Sequence, residues 1–209
     1  MTQNDITVPL ATMVEMQDAM NRKVHPQWFE QNFAWFRAIW LECGEMLDHY
    51  GWKWWKHQTP DLEQVKMELV DIFHFGLSCR INGVDSPTEI AKQLAAEMAE
   101  PKAADSFPET LEILAATALT TRGFDAHAFA GCMLKIDMDF AELYRSYVGK
   151  NTLNFFRQDY GYKEGHYQKV WDGREDNEHL VEVLASLDIA DPDYQKKVYQ
   201  GLVERYPSE

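Results

Sequence analysis

The chain has 209 residues, 45% of them hydrophobic, and a formal net charge of -14. This composition allows one sizeable hydrophobic core and excludes global disorder. The negative charge argues against binding to nucleic acid or to an anionic membrane through the overall electrostatic field. A polyphosphate ligand would therefore need local cations or metal ions to offset the charge of the protein.

Cysteine usage and the lack of long apolar segments indicate the compartment. Cys43, Cys79 and Cys132 are odd in number and include no Cys-x-x-Cys pair, which argues against a disulfide framework or a cysteine zinc site. The first residues lack the basic and apolar regions of a signal peptide, and no stretch approaches the roughly 18 apolar residues of a membrane span. We expect a soluble, cytoplasmic protein with no membrane or nucleic-acid partner.

Helical periodicity dominates the sequence. In chain order, we predict helices at residues 9–23, 27–50, 61–80, 86–100, 108–121, 125–148 and 191–206. The fourth opens with a helix-start signature, in which Ser86 is followed by Pro87 and, three residues after the serine, by Glu89. Residues 100–109 and 161–165 have the composition of loops.

Two of these helices carry apolar residues at helical spacing and should pack against each other. The helix at 27–50 carries Phe29, Phe33, Phe36, Trp40 and Leu47. The helix at 61–80 carries Leu62, Val65, Leu69, Ile72 and Phe73. Because alternation with period two is rare, we expect an all-α fold, a multi-helix bundle-type domain that spans residues 1–209.

Carboxylates occur in pairs on these same two helices. Glu42 and Glu45 are three residues apart, as are Glu68 and Asp71, so each pair lies on one side of its helix. If the helices are neighbours, four carboxylates converge, and their repulsion favours a hard cation such as Mg²⁺. The alternative is that each pair lies on a solvated helix face. Zinc is disfavoured because no cysteine or histidine cluster joins the carboxylates.

Two segments combine aromatic and basic residues. In "GWKWWK", Trp52, Trp54 and Trp55 flank Lys53 and Lys56, which fits either a helix end packed on the core or the wall of a ligand pocket. Farther along, the chain concentrates cations among amides and tyrosines, at Lys150, Asn151, Asn154, Arg157, Tyr162, Lys163, Tyr167 and Lys169. Such donors suit phosphate oxygens, although neither a P-loop nor a dinucleotide-binding glycine motif is present.

Four blocks together resemble one family, the dimeric all-α dUTP pyrophosphatases (dUTPases), which are related to the MazG-type nucleotide pyrophosphatases. The blocks are "MQDAMN" at 16–21, "LECGEMLDHYGWKWWK" at 41–56, "ELVDIFHF" at 68–75 and "GKNTLNFFRQDYGYKEGHYQKVWDGREDN" at 149–177. Residues 81–140 carry no matching motif, and we expect them to form a mobile helical insert in the single domain.

The resemblance implies a role for each motif residue. Glu42, Glu45, Glu68 and Asp71 would bind two or three Mg²⁺ ions, which Mn²⁺ can replace, and Glu45 or Glu42 would be the catalytic group. The residues implied for the base and sugar are Gln17, Asn21, Trp52, Trp55 and Phe75. The residues implied for the phosphates are Lys150, Asn154, Arg157, Tyr162 and Lys163, with Lys53, Lys169, Asp176 and Asn177 as weaker assignments.

The activity that the resemblance implies is Mg²⁺-dependent hydrolysis of dUTP, and also of dUDP, to dUMP by a homodimer. Two alternatives remain open at this point. The same scaffold could hydrolyse dCTP or a modified deoxynucleotide, because the metal and phosphate motifs do not specify the base. The chain could also be a helical binding module that retains a nucleotide site without turnover.

Overall fold

The computed structural model describes residues 3–189, 191 and 193–207, and these form nine α-helices with very little strand. The helices are α1 (Gln3–Val24), α2 (Trp35–Tyr50), α3 (Leu62–Arg80), α4 (Pro87–Met98), α5 (Phe107–Thr121), α6 (Ala126–Lys135), α7 (Phe140–Asp159), α8 (Asp176–Ala185) and α9 (Tyr194–Val203). A 3-10 helix covers Trp28–Gln31, and a hairpin pairs β1 (Val170–Trp171) with β2 (Arg174–Glu175). The all-α class predicted from the sequence is confirmed. Each of the described helices is too short or too polar to cross a lipid bilayer.

Helices α2 and α3, which carry the paired carboxylates, pack against each other as expected. Asp61 caps α3 by accepting a hydrogen bond from the backbone N–H of Gln64, at 3.2 Å. Val65 and Leu69 of α3 are fully buried in the main hydrophobic cluster, to which α1 to α7 all contribute. This packing fixes the relative depth of the two helices and therefore of their carboxylates.

The prediction of one continuous helix over 27–50 with a buried aromatic stripe was wrong. Asn32 adopts a left-handed conformation, with φ of 50°, and α2 begins only at Trp35. Phe29, Phe33 and Trp40 are 43–47% exposed. The residues of α2 that are buried in the core are instead Ile39, Cys43 and Met46. The spacing of three, four and seven holds for both faces of α2, so periodicity did not identify which face packs on α3.

The predicted helix at 125–148 also divides, and its second part extends farther than expected. Asp137 has φ of 52°, and Asp139 caps α7 by accepting a hydrogen bond from Glu142 N–H at 2.8 Å. Helix α7 then continues to Asp159, so the first half of the basic block is helical. Because α7 packs on both α1 and α3, it places these cations opposite the carboxylates.

Residues 81–140 contain α4, which packs on α1, α5, which packs on α2, and α6, which packs on α4 and α5. The helix-start signature at Ser86 is confirmed: its side chain and that of Glu89 form a reciprocal capping box, and Ser106 does the same at the start of α5. Arg80 of α3 forms a two-pronged ion pair with Glu97 of α4, at 2.6 and 2.8 Å. The mobility of this segment stays a prediction.

A second hydrophobic cluster lies beneath the C-terminal part of the chain. It includes Met67, Phe156 and the fully buried Trp171, together with apolar residues of α8 and α9. Asp172 and Gly173, both with positive φ, make the hairpin turn that leads into α8. The cluster holds the start of α8 against α7. As a result, Asp176 and Asn177 of α8 lie next to Arg157 and Lys150 of α7.

Candidate active site

Three carboxylates meet between α2 and α3. An oxygen of Glu42 and one each of Glu68 and Asp71 all lie within 4.8 Å of one another. Glu45 lies one turn after Glu42 and lines the same cavity from a more exposed position. Both predicted pairs therefore converge, as the spacing on the two helices indicated.

The electrostatics of this cluster suit a hard cation. Burial, followed by the charges of Asp71 and Glu68, raises the pKa of Glu42 to about 8. Burial and Asp71 also raise the pKa of Glu68, against the opposing effect of Lys150. Carboxylate oxygens with unfavourable mutual repulsion are the ligand set that Mg²⁺ or Mn²⁺ prefers. The residues present therefore fit the metal that the sequence implied.

Lys150 faces the cluster from α7. Its ammonium lies 2.8 Å from Asp71 Oδ2 and donates a hydrogen bond to Asn177 Oδ1 at 2.9 Å. The side chain is only 3% exposed, so this charge is shielded from solvent. Two of its three protons are thus engaged by the protein, and the third remains for another acceptor.

Arg157, two turns farther along α7, is held by a buried carboxylate at the start of α8. Its Nε and Nη2 donate to the two oxygens of Asp176, both at 2.8 Å, and its Nη1 donates to Asn154 at 3.1 Å. Burial alone would raise the pKa of Asp176, but the hydrogen bonds and charge of Arg157 hold it below its usual value. The Tyr167 hydroxyl also donates to Asp176, at 2.8 Å. The guanidinium is therefore fixed in one orientation.

Two cavities adjoin at these residues. The first, of about 480 Å³, is polar and is lined by Glu42, Glu45, His49, Asp61, Gln64, Glu68, Asp71, Lys150, Arg157, Tyr162, Lys169, Glu175, Asn177 and Glu178. The second, of about 450 Å³, is lined by Gln17, Met20, Asn21, Val24, Trp28, Phe33, Trp35, Glu42, Asp71, His74, Phe75, Asn154, Arg157, Gln158 and Tyr162. Glu42, Asp71, Arg157 and Tyr162 line both, so the cavities form one site with a charged end and an aromatic end.

The aromatic end contains residues that the sequence motifs had not singled out. Phe75 stacks on Trp35 with ring centroids 6.2 Å apart, and Trp28 lies beside them. Trp28 and Trp35 lie in the predicted helix at 27–50, but its predicted apolar stripe did not include them. The signal that could have found them is the density of aromatic residues next to Gln17 and Asn21 rather than their spacing.

Several predicted site residues lie elsewhere. Trp52, Trp55 and Lys53 line a separate surface hollow formed by residues 51–58, away from both cavities. Lys53 is paired with Asp48. Lys163 donates to the carbonyl of Val24 at 3.2 Å and lines neither cavity. The structure thus brings together most of the predicted residues but separates the tryptophan-lysine loop from the amides of α1.

Comparison with known proteins identifies the family. A family model described as dUTPase, of the all-α kind, matches residues 9–162, well over half of the chain. A search of the curated proteins finds no match. The matched range contains the carboxylates, Gln17, Asn21, Lys150 and Arg157. The resemblance seen in the sequence is confirmed, and the alternative of a binding module without turnover is set aside. The chain belongs to the all-α dUTPase family, a metal-dependent family, and is a dUTP diphosphatase.

Proposed function

We propose that this dUTPase hydrolyses dUTP, and also dUDP, to dUMP with Mg²⁺ as its metal. The observation that carries the proposal is a cluster of carboxylates opposite Lys150 and Arg157 at the junction of a polar and an aromatic cavity. A molecule with a charged polyphosphate and a planar base needs those two surroundings side by side. Two or three ions would fit the charge of the four carboxylates, and Mn²⁺ could replace Mg²⁺.

The charged end would hold the phosphates and the metal. Glu42, Glu45, Glu68 and Asp71 would be the ligands, and the bound ions would neutralise charge and lower the pKa of the attacking water. Glu45, the most exposed of the four, would orient that water or accept its proton, with Glu42 as the other candidate.

Lys150 and Arg157 would stabilise negative charge that develops on the phosphate oxygens. Each retains at least one N–H that no protein acceptor engages among the described hydrogen bonds. Tyr162 lines both cavities and Asn154 lines the aromatic one, and both would contact the phosphates closer to the sugar. Lys169 and Asn177 also line the polar cavity and would contact the terminal phosphate.

The aromatic end would hold the nucleoside. Phe75, stacked on Trp35, would pack against the deoxyribose and exclude a 2′-hydroxyl, because a hydroxyl pressed on an aromatic face has no hydrogen-bond partner. The amide pair of Gln17 and Asn21 lines this end and would supply the polar group that selects the uracil edge. Trp52 and Trp55 remain proposed base contacts only if the 51–58 loop closes over this end.

A substrate panel tests the proposal. We expect pyrophosphate release from dUTP and phosphate release from dUDP with Mg²⁺, lower rates with dCTP, dTTP and UTP, and no turnover in chelator. Activity that returns with Mn²⁺ but not with Ca²⁺ would agree with the proposed ligand set. Turnover of dCTP that exceeds turnover of dUTP would contradict the proposed base selectivity and favour the related dCTP pyrophosphatase.

We also propose that the protein forms a homodimer, as the family resemblance implied. The support is the exposure of large aromatic side chains at Phe29 and Trp40, each 47% exposed. Light scattering after size exclusion should give about twice the chain mass of 24.3 kDa. Trp40→Glu should shift that mass toward the monomer; a monomeric wild type would contradict the proposal.

A further inference from the structure

A network of hydrogen bonds joins α1, α3 and α7 beside the aromatic cavity. Ser78 Oγ donates to the carbonyl of His74, one turn earlier on α3, at 3.1 Å. A hydroxyl has one proton, so towards its other neighbours this oxygen can only accept. Gln17 Nε2 and Asn21 Nδ2 both donate to it, at 3.1 and 3.0 Å. Ser78 therefore determines which end of each amide faces it.

Because Ser78 fixes the position of Gln17 Nε2, it also fixes which groups face Gln17 Oε1. With Nε2 turned to Ser78 and to Asn21 Oδ1, at 3.0 Å, Gln17 Oε1 faces His74 Nδ1 at 2.7 Å and the Tyr147 hydroxyl at 2.9 Å. Because Oε1 is an acceptor, His74 must carry its proton on Nδ1. Burial lowers the pKa of His74 to about 3, so the ring stays neutral and keeps this tautomer.

The hydrogen-bonding positions of Gln17 are thus all engaged inside the protein. Nε2 donates to two acceptors. Oε1 accepts from His74 Nδ1 and faces the Tyr147 hydroxyl, whose single proton it shares with the backbone carbonyl of Met13 at 3.0 Å. Asn21 differs, since Oδ1 accepts only from Gln17 and Nδ2 donates only to Ser78 among the described residues. One lone pair and one N–H of Asn21 remain for a ligand, and Asn21 lines the aromatic cavity.

We propose that Ser78, together with Gln17, is a positioning residue that prevents the Asn21 amide from flipping where it faces the base. The inference rests on the proposed function, in which this cavity holds uracil. An amide that flips exchanges its donor and acceptor, and uracil and cytosine differ by just such an exchange at N3 and at position 4. Selectivity for uracil therefore requires a fixed direction. A flip would set Asn21 Nδ2 against Gln17 Nε2, two donors, and Ser78 could bond the flipped amide only by giving up its hydrogen bond to the His74 carbonyl.

The test is the ratio of kcat/KM for dUTP to kcat/KM for dCTP. Ser78→Ala removes the acceptor that orients Asn21, so the ratio should fall about tenfold, mainly because hydrolysis of dCTP rises. Thr152→Ala is the matched control: Thr152 is another buried hydroxyl that donates to the carbonyl one turn earlier, at 2.8 Å, but it accepts from no amide among the described bonds. It should leave the ratio unchanged. A general structural defect would lower both substrates together and would not raise dCTP turnover.

A double-mutant cycle separates a positioning role from a direct contact. Asn21→Ala should abolish most of the discrimination, and adding Gln17→Met to it should cause no further loss. An additional loss in the double variant would show that Gln17 contacts the base and would overturn the inference. If Ser78→Ala does not fold, Ser78→Cys, which keeps the volume but accepts weakly, makes the same prediction.

The outcomes distinguish this inference from the function on which it rests. A wild type that prefers dUTP, with a ratio that survives Ser78 replacement, would overturn the inference and leave the function intact. A wild type without preference for dUTP over dCTP would overturn the proposed uracil selectivity, and the inference with it.

Discussion

At the scale of single residues, this site depends on like charges held close together by helix packing. Glu42, Glu68 and Asp71 each arise from a different helix position, yet their oxygens meet within 4.8 Å. The consequence is a Glu42 pKa of about 8 and a ligand set that is incomplete without a cation. Glu45 lies beside these three ligands and is exposed to solvent. That position suits a group that must orient or deprotonate a water molecule.

Replacing the proposed catalytic carboxylate should stop turnover without unfolding the protein. Glu45→Gln should lower kcat at least 100-fold, because general-base catalysis contributes about 10²–10⁴. Its melting temperature should stay close to that of the wild type, since Glu45 is exposed. Steady-state pyrophosphate release and thermal unfolding measure the two effects. Glu63→Gln, at an exposed position in the first turn of α3, is the control. Near-normal turnover by Glu45→Gln would refute its role.

The raised pKa of Glu42 predicts proton release on metal binding. At pH 7 the metal-free carboxyl is mostly protonated, whereas a ligand to Mg²⁺ must be ionised. Mg²⁺ affinity should therefore increase between pH 6 and pH 8. Isothermal titration calorimetry at pH 7, in two buffers of different ionisation enthalpy, should give binding enthalpies that differ. The same enthalpy in both buffers would contradict the assignment.

The raised pKa of Glu42 also predicts how the stability of the metal-free protein depends on pH. That stability should fall as the pH rises, whereas the affinity for Mg²⁺ should increase. The folded protein keeps a proton on Glu42 between pH 4.5, the usual value, and about pH 8, whereas the unfolded chain has lost it. The stabilisation from this group is thus fully present below pH 4.5 and is lost as the pH rises through 8. Urea unfolding in chelator across this range should show the decline, and Glu42→Gln should reduce it.

At the scale of secondary structure, sequence motifs predicted a helix boundary correctly where a few adjacent residues determine that boundary. The capping box of Ser86 and Glu89 is of this kind. The breaks at Asn32 and Asp137 were not predicted. Asn and Asp adopt positive φ more readily than other non-glycine residues, but both also occur within helices, so their presence in a periodic segment did not mark a break. The hairpin before α8 was also missed, although Asp172-Gly173 is a recognisable turn signal.

Glycine replacements distinguish packing from helix propensity. A Cβ on Gly131 of α6 would lie 1.9 Å from the carbonyl oxygen of Lys102, so Gly131→Ala should destabilise the fold by about 2–3 kcal/mol. A Cβ on Gly44 of α2 would meet nothing within 4 Å, so Gly44→Ala should stabilise it by about 0.5–1 kcal/mol. Chemical denaturation measures both. Equal effects of the two replacements would contradict this packing.

At the scale of the whole molecule, the active site is formed by helices that belong to both hydrophobic clusters. Helices α2 and α3 belong mainly to the first, α8 to the second, and α7 contributes to both. The carboxylates therefore come from one side of the cleft, whereas Asp176 and Asn177, which hold Arg157 and Lys150, come from the other. A cation that relieves repulsion in this cleft should stabilise the entire fold.

Metal binding should raise the free energy of unfolding. Mg²⁺ at 100 times its dissociation constant should add about 2.7 kcal/mol, which for a chain of this size raises the melting temperature by roughly 5–10 °C. Scanning calorimetry in chelator and in MgCl₂ measures the shift, with NaCl of equal ionic strength as the control. Asp71→Asn should abolish most of the response. A shift that NaCl reproduces would indicate general screening rather than a site.

From the amino-acid sequence alone, the all-α class, the helix start at Ser86 and the two carboxylate pairs could be predicted, because these depend on spacing within one helix and on side chains a few residues apart. Its motif blocks also determined the family. The folded structure was needed to show which face of α2 is buried and that Ser78 accepts hydrogen bonds from Gln17 and Asn21. It also showed that Trp28 and Trp35 line the cavity of these amides, whereas Trp52 and Trp55 line a different one. These outcomes depend on contacts between segments far apart in the chain, and such contacts leave no periodic trace in a single sequence.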